Sequence, residues 1–174
     1  FTVDHTHVGV EIEFNLVDAN GDPALKNVET LEAIADDAFQ TELGLFNIEI
    51  NVPPSLVEGR GLEELESTLR DDLNAAQGKA AEVGAHLLMI GILPTLQDNH
   101  LSQDALSANP RYHLLSEQIL AARGEDIEIV IEGVDRLSTT ADTIIPEAAC
   151  TSTQLHLQVD PEDFAPMWNA DQAI

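Results

Sequence analysis

Three short segments decide what this chain can fold into: Gly9–Phe14 (GVEIEF), Phe46–Val52 (FNIEINV) and Gln154–Val159 (QLHLQV). Each alternates apolar and polar residues with a period of two, as a strand with one buried face does. Glu11 and Glu13 share a face opposite Val10, Ile12 and Phe14. Asn47, Glu49 and Asn51 oppose Phe46, Ile48 and Ile50, and Gln154, His156 and Gln158 oppose Leu155, Leu157 and Val159. One sheet with an apolar back and a polar front gathers these groups onto a single acidic, imidazole-bearing floor. Carboxylates held together call for a cation or a substrate to neutralise them.

The other elements follow from periodicity and punctuation. Val8–Val17 reads as one strand, reversed at Asn20-Gly21. Glu29–Phe39 reads as a short helix, and Pro53-Pro54 is expected to stop the second strand. Leu62–Val83 has the clearest helical spacing, with acids in its early turns and Gly84 at its cap. The apolar run Leu87–Leu93 reads as a strand buried on both faces, ending at Pro94. Gln97–Arg111 reads as a loop, His113–Arg123 as a helix ended by Gly124, and Ile127–Ile131 and Thr153–Val159 as strands. Asp160-Pro161-Glu162-Asp163 is expected to open a final helix. The sum is an α+β architecture with helices covering one face of a sheet and a ligand-binding front on the other.

With 174 residues, 44% hydrophobic but only 4% aromatic, the chain suffices for one domain with an aliphatic core. Its start at Phe1 and its end within a helix read as a piece of something longer. Thirty-two acids face seven bases, for a net charge of −25, a surface that repels nucleic acid and anionic membranes. No apolar run approaches the roughly 20 residues of a membrane helix. Most of the acids read as a solvated coat, resembling that of proteins from salt-rich cytoplasm. The single Cys150 excludes an intramolecular disulfide and fits a reducing, cytoplasmic setting; its small apolar neighbours predict a buried thiol.

Mg²⁺ and Mn²⁺ prefer oxygen ligands. Glu11 and Glu13 stand about 7 Å apart along a strand, a spacing that suits two adjacent metals better than chelation of one. Glu49 adds a carboxylate from a second strand and His156 a nitrogen from a third. His5, His7, His86, His100 and His113 read as incidental, Glu128 and Glu132 as solvated, and Trp168 as packing. There is no phosphate-binding glycine loop and no serine nucleophile elbow, so a nucleotide would bind through metals and the sheet face.

GVEIEF, TELGLFNIEINVPP (Thr41–Pro54) and TSTQLHLQV (Thr151–Val159), in that order, resemble the catalytic core of glutamate–cysteine ligases and related carboxylate–amine ligases. The resemblance implies a glutamine synthetase-like fold, a curved and largely antiparallel sheet, with residues 1–174 as the N-terminal part of a single catalytic domain. By position, Glu11, Glu13, Glu49 and His156 resemble the family's metal ligands. Glu42 falls where the family can carry another acid; its parity is wrong for one flat strand, and Gly44 is a candidate bend. Gln154 and Gln158 flank His156 where many relatives carry a His-x-His pair. Arg111, Gln154 and Asn51 are the candidates for contacting substrate. The implied reaction uses ATP and Mg²⁺ or Mn²⁺ to phosphorylate glutamate, and the acyl phosphate is then attacked by cysteine or another amine. A homo-oligomer is left open. The rival readings are a non-catalytic acidic domain for cation binding or assembly, and a relative that joins a different amine.

Overall fold

The computed structural model describes residues 6–173. Its centre is strand β1 (His7–Val17). One side of β1 pairs along its length with β3 (Asn47–Leu56), antiparallel, with Ile12 opposite Ile50 and Glu13 opposite Glu49. β2 (Phe39–Thr41) lies outside β3. The other side of β1 is shared between two short strands: β4 (His86–Leu88) pairs with residues 15–17, and β7 (Thr153–Leu157) with residues 8–12. All of these pairings are antiparallel.

The alternation of β1 does what the sequence predicts. Val8, Val10, Ile12, Phe14 and Leu16 are buried on the back, with Ile48, Ile50 and Val52 of β3 beside them. Helices α1 (Asn27–Ile34) and α2 (Gly61–Glu82) cover this face, α2 through Leu65, Leu69, Leu73 and Ala76. Burying an Ile or Leu side chain fully contributes about 1.5–3 kcal/mol, so this layer is the main source of stability. Gly84, at φ +72°, supplies the left-handed residue beyond the end of α2, and the Lys26 ammonium donates to the Val83 carbonyl there.

A second, smaller core unites Leu43, Phe46, Ala105, Leu106, Ile144, Ile145 and Ala148. It lies under the turn between β2 and β3. Helix α3 (Pro110–Arg123) adds Tyr112 to it. Asn109 caps α3, its side chain accepting from the Arg111 N–H, so this helix begins three residues before the predicted start.

Several expectations are corrected. Helix α1 runs Asn27–Ile34 rather than Glu29–Phe39; Ala35 turns left-handed at φ +53°, and Phe39 joins a strand. Pro53 and Pro54 do not stop β3, which continues to Leu56. β2 pairs only with residues 48–50, so the prolines occupy an unpaired edge, and a register shift between Val8 and Val10 absorbs them. The run Leu87–Leu93 is not a doubly buried strand. Only His86–Leu88 pair with β1, because β7 occupies the rest of that edge; Ile92 makes just an isolated bridge to Cys150, and Met89, Ile90 and Ile92 are exposed. Strand β5 (Ile127–Glu132) is outside the main sheet and forms a separate hairpin with β6 (Arg136–Ala141), which had no sequence signal. Helix α4 (Phe164–Asp171) starts after the Asp160–Asp163 segment, which forms turns. Cys150 is exposed rather than buried. Trp168 stacks on Phe164 at 5.9 Å between ring centroids but stays exposed, as do Leu155 and Leu157 on the back of β7. Among the described residues no helix is long and apolar enough to cross a membrane.

Candidate functional site

The front of the sheet carries the groups that alternation leaves over. Register places Glu13 of β1 opposite Glu49 of β3, with Asn15 opposite Asn47 on one side and Glu11 opposite Asn51 on the other. Like charges directly opposite each other on paired strands are destabilising. Glu42 joins them from the turn after β2. Gln40 opposes Glu49, so Glu42, two residues on, faces the same way. The parity objection disappears because the chain reverses between Glu42 and Glu49; no bulge is needed. Gly44 lies within this reversal, and a Cβ there would sit 2.5 Å from Asn47 Oδ1, so any larger residue would have to displace the buried Asn47 amide.

Glu13, Glu42 and Glu49 each offer an oxygen, and these oxygens all lie within 4.8 Å of one another. All three residues are half-buried. Burial pushes the Glu42 carboxyl above its ordinary range, and the Glu49, Glu13 and Glu11 carboxylates push it further, against the Leu43 N–H that donates to it at 2.8 Å. Glu13 accepts from the Ser152 N–H at 2.9 Å, from Ser152 Oγ at 3.2 Å and from Gln154 Nε2 at 3.4 Å. Glu49 accepts from Asn51 Nδ2 at 2.9 Å. Among the described residues no lysine or arginine pairs with any of the three.

Glu11 and His156 stand one step along β1. Gly9 opposes His156 and Glu11 opposes Gln154, which brings His156 Nε2 to 3.2 Å from Glu11 Oε1. The five predicted ligands thus share one face but divide into a triad, Glu13–Glu42–Glu49, and a neighbouring pair, Glu11–His156. The predicted substrate contacts divide too. The Gln154 and Asn51 amides face Glu13 and Glu49. Arg111 is exposed in the first turn of α3. Its charge acts on Tyr112, whose hydroxyl is pushed up by burial and then by Glu42 and Glu49, with Arg111 opposing.

The remaining histidines are engaged elsewhere. His7 meets Gln158 at 3.0 Å, His86 meets Gln77 at 3.1 Å, His100 Nδ1 accepts from the Gln97 N–H at 3.1 Å, and His113 meets Gln103 at 3.4 Å. His5 lies outside the described residues. Glu128 and Glu132 are exposed on the β5–β6 hairpin, as expected.

Beside the triad is a cavity of about 300 Å³ lined by Glu13, Glu42, Asn47, Glu147, Cys150 and Ser152. Sequence reasoning missed Ser152, Tyr112 and Glu147. Ser152 was findable, since extending the β7 pairing by one residue sets it against Glu13. Tyr112 and Glu147 reach the site from non-adjacent elements, and no local pattern marks them.

The model of glutamate-cysteine ligase family 2 matches residues 7–173. Among solved structures, the chain is similar to a bifunctional glutathione synthetase from Pasteurella multocida, with a TM-score of 0.52 and 11% identity. That similarity covers 95% of this chain and 18% of the synthetase, and at this identity it speaks for the fold alone. No curated protein sequence matches.

Proposed function

The chain belongs to glutamate-cysteine ligase family 2, and we propose that it is the N-terminal part of the catalytic domain of an ATP-dependent carboxylate–amine ligase, one that forms a γ-glutamyl amide with cysteine or another amine. The observation that carries this reading is the convergence of Glu13, Glu42 and Glu49, from β1, a turn and β3, with no lysine or arginine among the described residues paired to them. An all-oxygen donor set of three carboxylates fits a hard divalent cation, Mg²⁺ or Mn²⁺. Glu13, Glu42 and Glu49 would hold it, with Glu11 and His156 positioned for a second. The bound metal supplies neutralisation of phosphate charge during transfer.

The chain's own residues then have separable tasks. Ser152, Gln154 and Asn51 orient the carboxylates by donating to Glu13 and Glu49. Arg111, exposed on the first turn of α3 beside Tyr112, would provide a cation for a substrate carboxylate, which the acidic floor would otherwise repel. Glutamate's side-chain carboxylate takes the γ-phosphoryl group of ATP. The acceptor amine then attacks the acyl carbon, phosphate leaves, and the amide forms. Positioning and electrostatics are the protein's main contribution to such a transfer. The lone cysteine is consistent with a cytoplasmic setting.

The test uses the full-length protein with ATP, glutamate and a panel of amines that includes cysteine. The expected result is ADP and a γ-glutamyl amide by mass spectrometry, both lost in Glu49→Gln. Divalent-cation binding with no product from any amine would favour the non-catalytic cation-binding reading.

A further inference from the structure

Glu13 and Glu49 are held by ladder hydrogen bonds, but Glu42 lies just beyond a strand of three residues. The backbone around it is fixed from outside. The Thr41 carbonyl accepts from the Tyr112 hydroxyl at 3.1 Å, and the Glu42 carbonyl accepts from Ser107 Oγ. The Leu43 carbonyl accepts from the Ser107 N–H at 2.8 Å. The Gly44 carbonyl accepts from Asn27 Nδ2 at 3.3 Å, and the Leu45 carbonyl from the Asn27 N–H at 3.0 Å. Asn27 Nδ2 also reaches Ser107 Oγ at 2.8 Å, and the Leu45 N–H donates to the Ala105 carbonyl at 2.8 Å. Five consecutive carbonyls are thereby claimed by α1, by the segment before α3 and by α3 itself.

We infer that Asn27, Ser107 and Tyr112 are positioning residues that fix Glu42 as the third carboxylate of the site. This rests on the metal-binding reading proposed above. Stability alone is a poor reason for the arrangement. Asn27 and Ser107 are both 0% exposed, and Asn27 Oδ1 has no partner. That orphaned oxygen is a desolvation cost the fold carries, while the nitrogen of the same amide and the Ser107 hydroxyl donate to backbone carbonyls of the turn. What the polar cluster supplies is geometry. It holds a turn at the one place where a half-buried carboxylate is pushed against two others. A free turn would let Glu42 swing into solvent and relieve the repulsion. Partners that orient metal-binding carboxylates from behind are typically worth about 10–100-fold in metal affinity.

Two measurements on the full-length protein test this. The first is hydrogen exchange of the Leu43 and Leu45 amides without metal. Ser107→Ala should speed both about tenfold or more while amides of α2 keep their rates. The second is Mn²⁺ affinity by electron paramagnetic resonance, in the native background and in Glu42→Gln. Ser107→Ala should weaken Mn²⁺ about tenfold or more, and Tyr112→Phe, which keeps the ring, should weaken it less. Neither change should have an effect once Glu42 is glutamine, because each acts through that carboxylate. Equal losses in both backgrounds would mean a general structural effect and overturn the inference, as would unchanged exchange at Leu43 and Leu45. Altered exchange in a protein whose native form binds no Mn²⁺ would refute the metal reading itself, and with it Glu42 as a ligand to be positioned.

Discussion

The two faces of the β1–β3 pair share one backbone and one register, yet they follow opposite logic. On the back, Ile12, Ile48 and Ile50 meet in one apolar layer under α1 and α2. On the front, the same ladder sets Glu13 against Glu49 and adds Glu42, a repulsive arrangement that weakens the fold. Alternation with a period of two lets one strand serve both ends: stability is built on even-numbered residues of β1, and chemistry on odd ones. If this division is real, changes to the two faces should separate cleanly.

The largest expected effect is on the back. Ile50→Ala, at a fully buried position, should cost about 2–5 kcal/mol in denaturant unfolding. The protein that stays folded should still bind Mn²⁺ with near-native affinity. A loss well under about 1 kcal/mol would show that this layer is not what holds the sheet together. The front should behave in reverse. Glu49→Gln should weaken Mn²⁺ about 100-fold, equivalent to about 2.7 kcal/mol, while stability without metal holds or rises by up to about 1 kcal/mol. A destabilised Glu49→Gln would blur the division, since it would make the front a structural layer as well.

The pH dependence sharpens the comparison further. Burial and the neighbouring carboxylates raise the folded-state pKa of Glu42 above its ordinary value of 4.5. The folded protein therefore holds that proton more tightly than the unfolded chain does. The stabilisation is complete below the unfolded value and is lost as pH rises through the raised folded value. Without metal, Glu42→Gln should match the native protein in acid and exceed it at neutral pH, measured as melting temperature across that range. A difference that does not vary with pH would contradict the strained front. The smallest effect belongs to the Glu11–His156 pair, whose histidine side chain is more than half exposed. His156→Ala should change stability by no more than about 1 kcal/mol.

The β1–β3 division was legible because alternation is a local signal, written within ten residues of each strand. The front-face grouping of Glu13, Glu49 and His156 followed from it directly. Glu42 was harder. Counting parity from Glu49 fails across a chain reversal, and the reversal is set by Phe46 and Leu43 entering a second core with Leu106 and Ile145, residues far away in sequence. The same limit hid β6, where only Leu137 and Ala141 are apolar among RLSTTA, and it misjudged Leu87–Leu93. There the composition suggests burial, while pairing is cut short because β7 occupies the neighbouring edge. Pro53 and Pro54 were read by a rule for paired strands, but they lie where β2 no longer reaches. In each case the missing information was which partner lies alongside, and a linear pattern does not carry it.

The most direct test of the central claim is anomalous diffraction from crystals of the full-length protein grown with Mn²⁺. An anomalous peak is predicted among the carboxylate oxygens of Glu13, Glu42 and Glu49, at about 2.0–2.2 Å from each, in the range of hard-cation coordination. Peaks only elsewhere on the acidic surface, or none at a concentration that saturates the protein in solution, would contradict it.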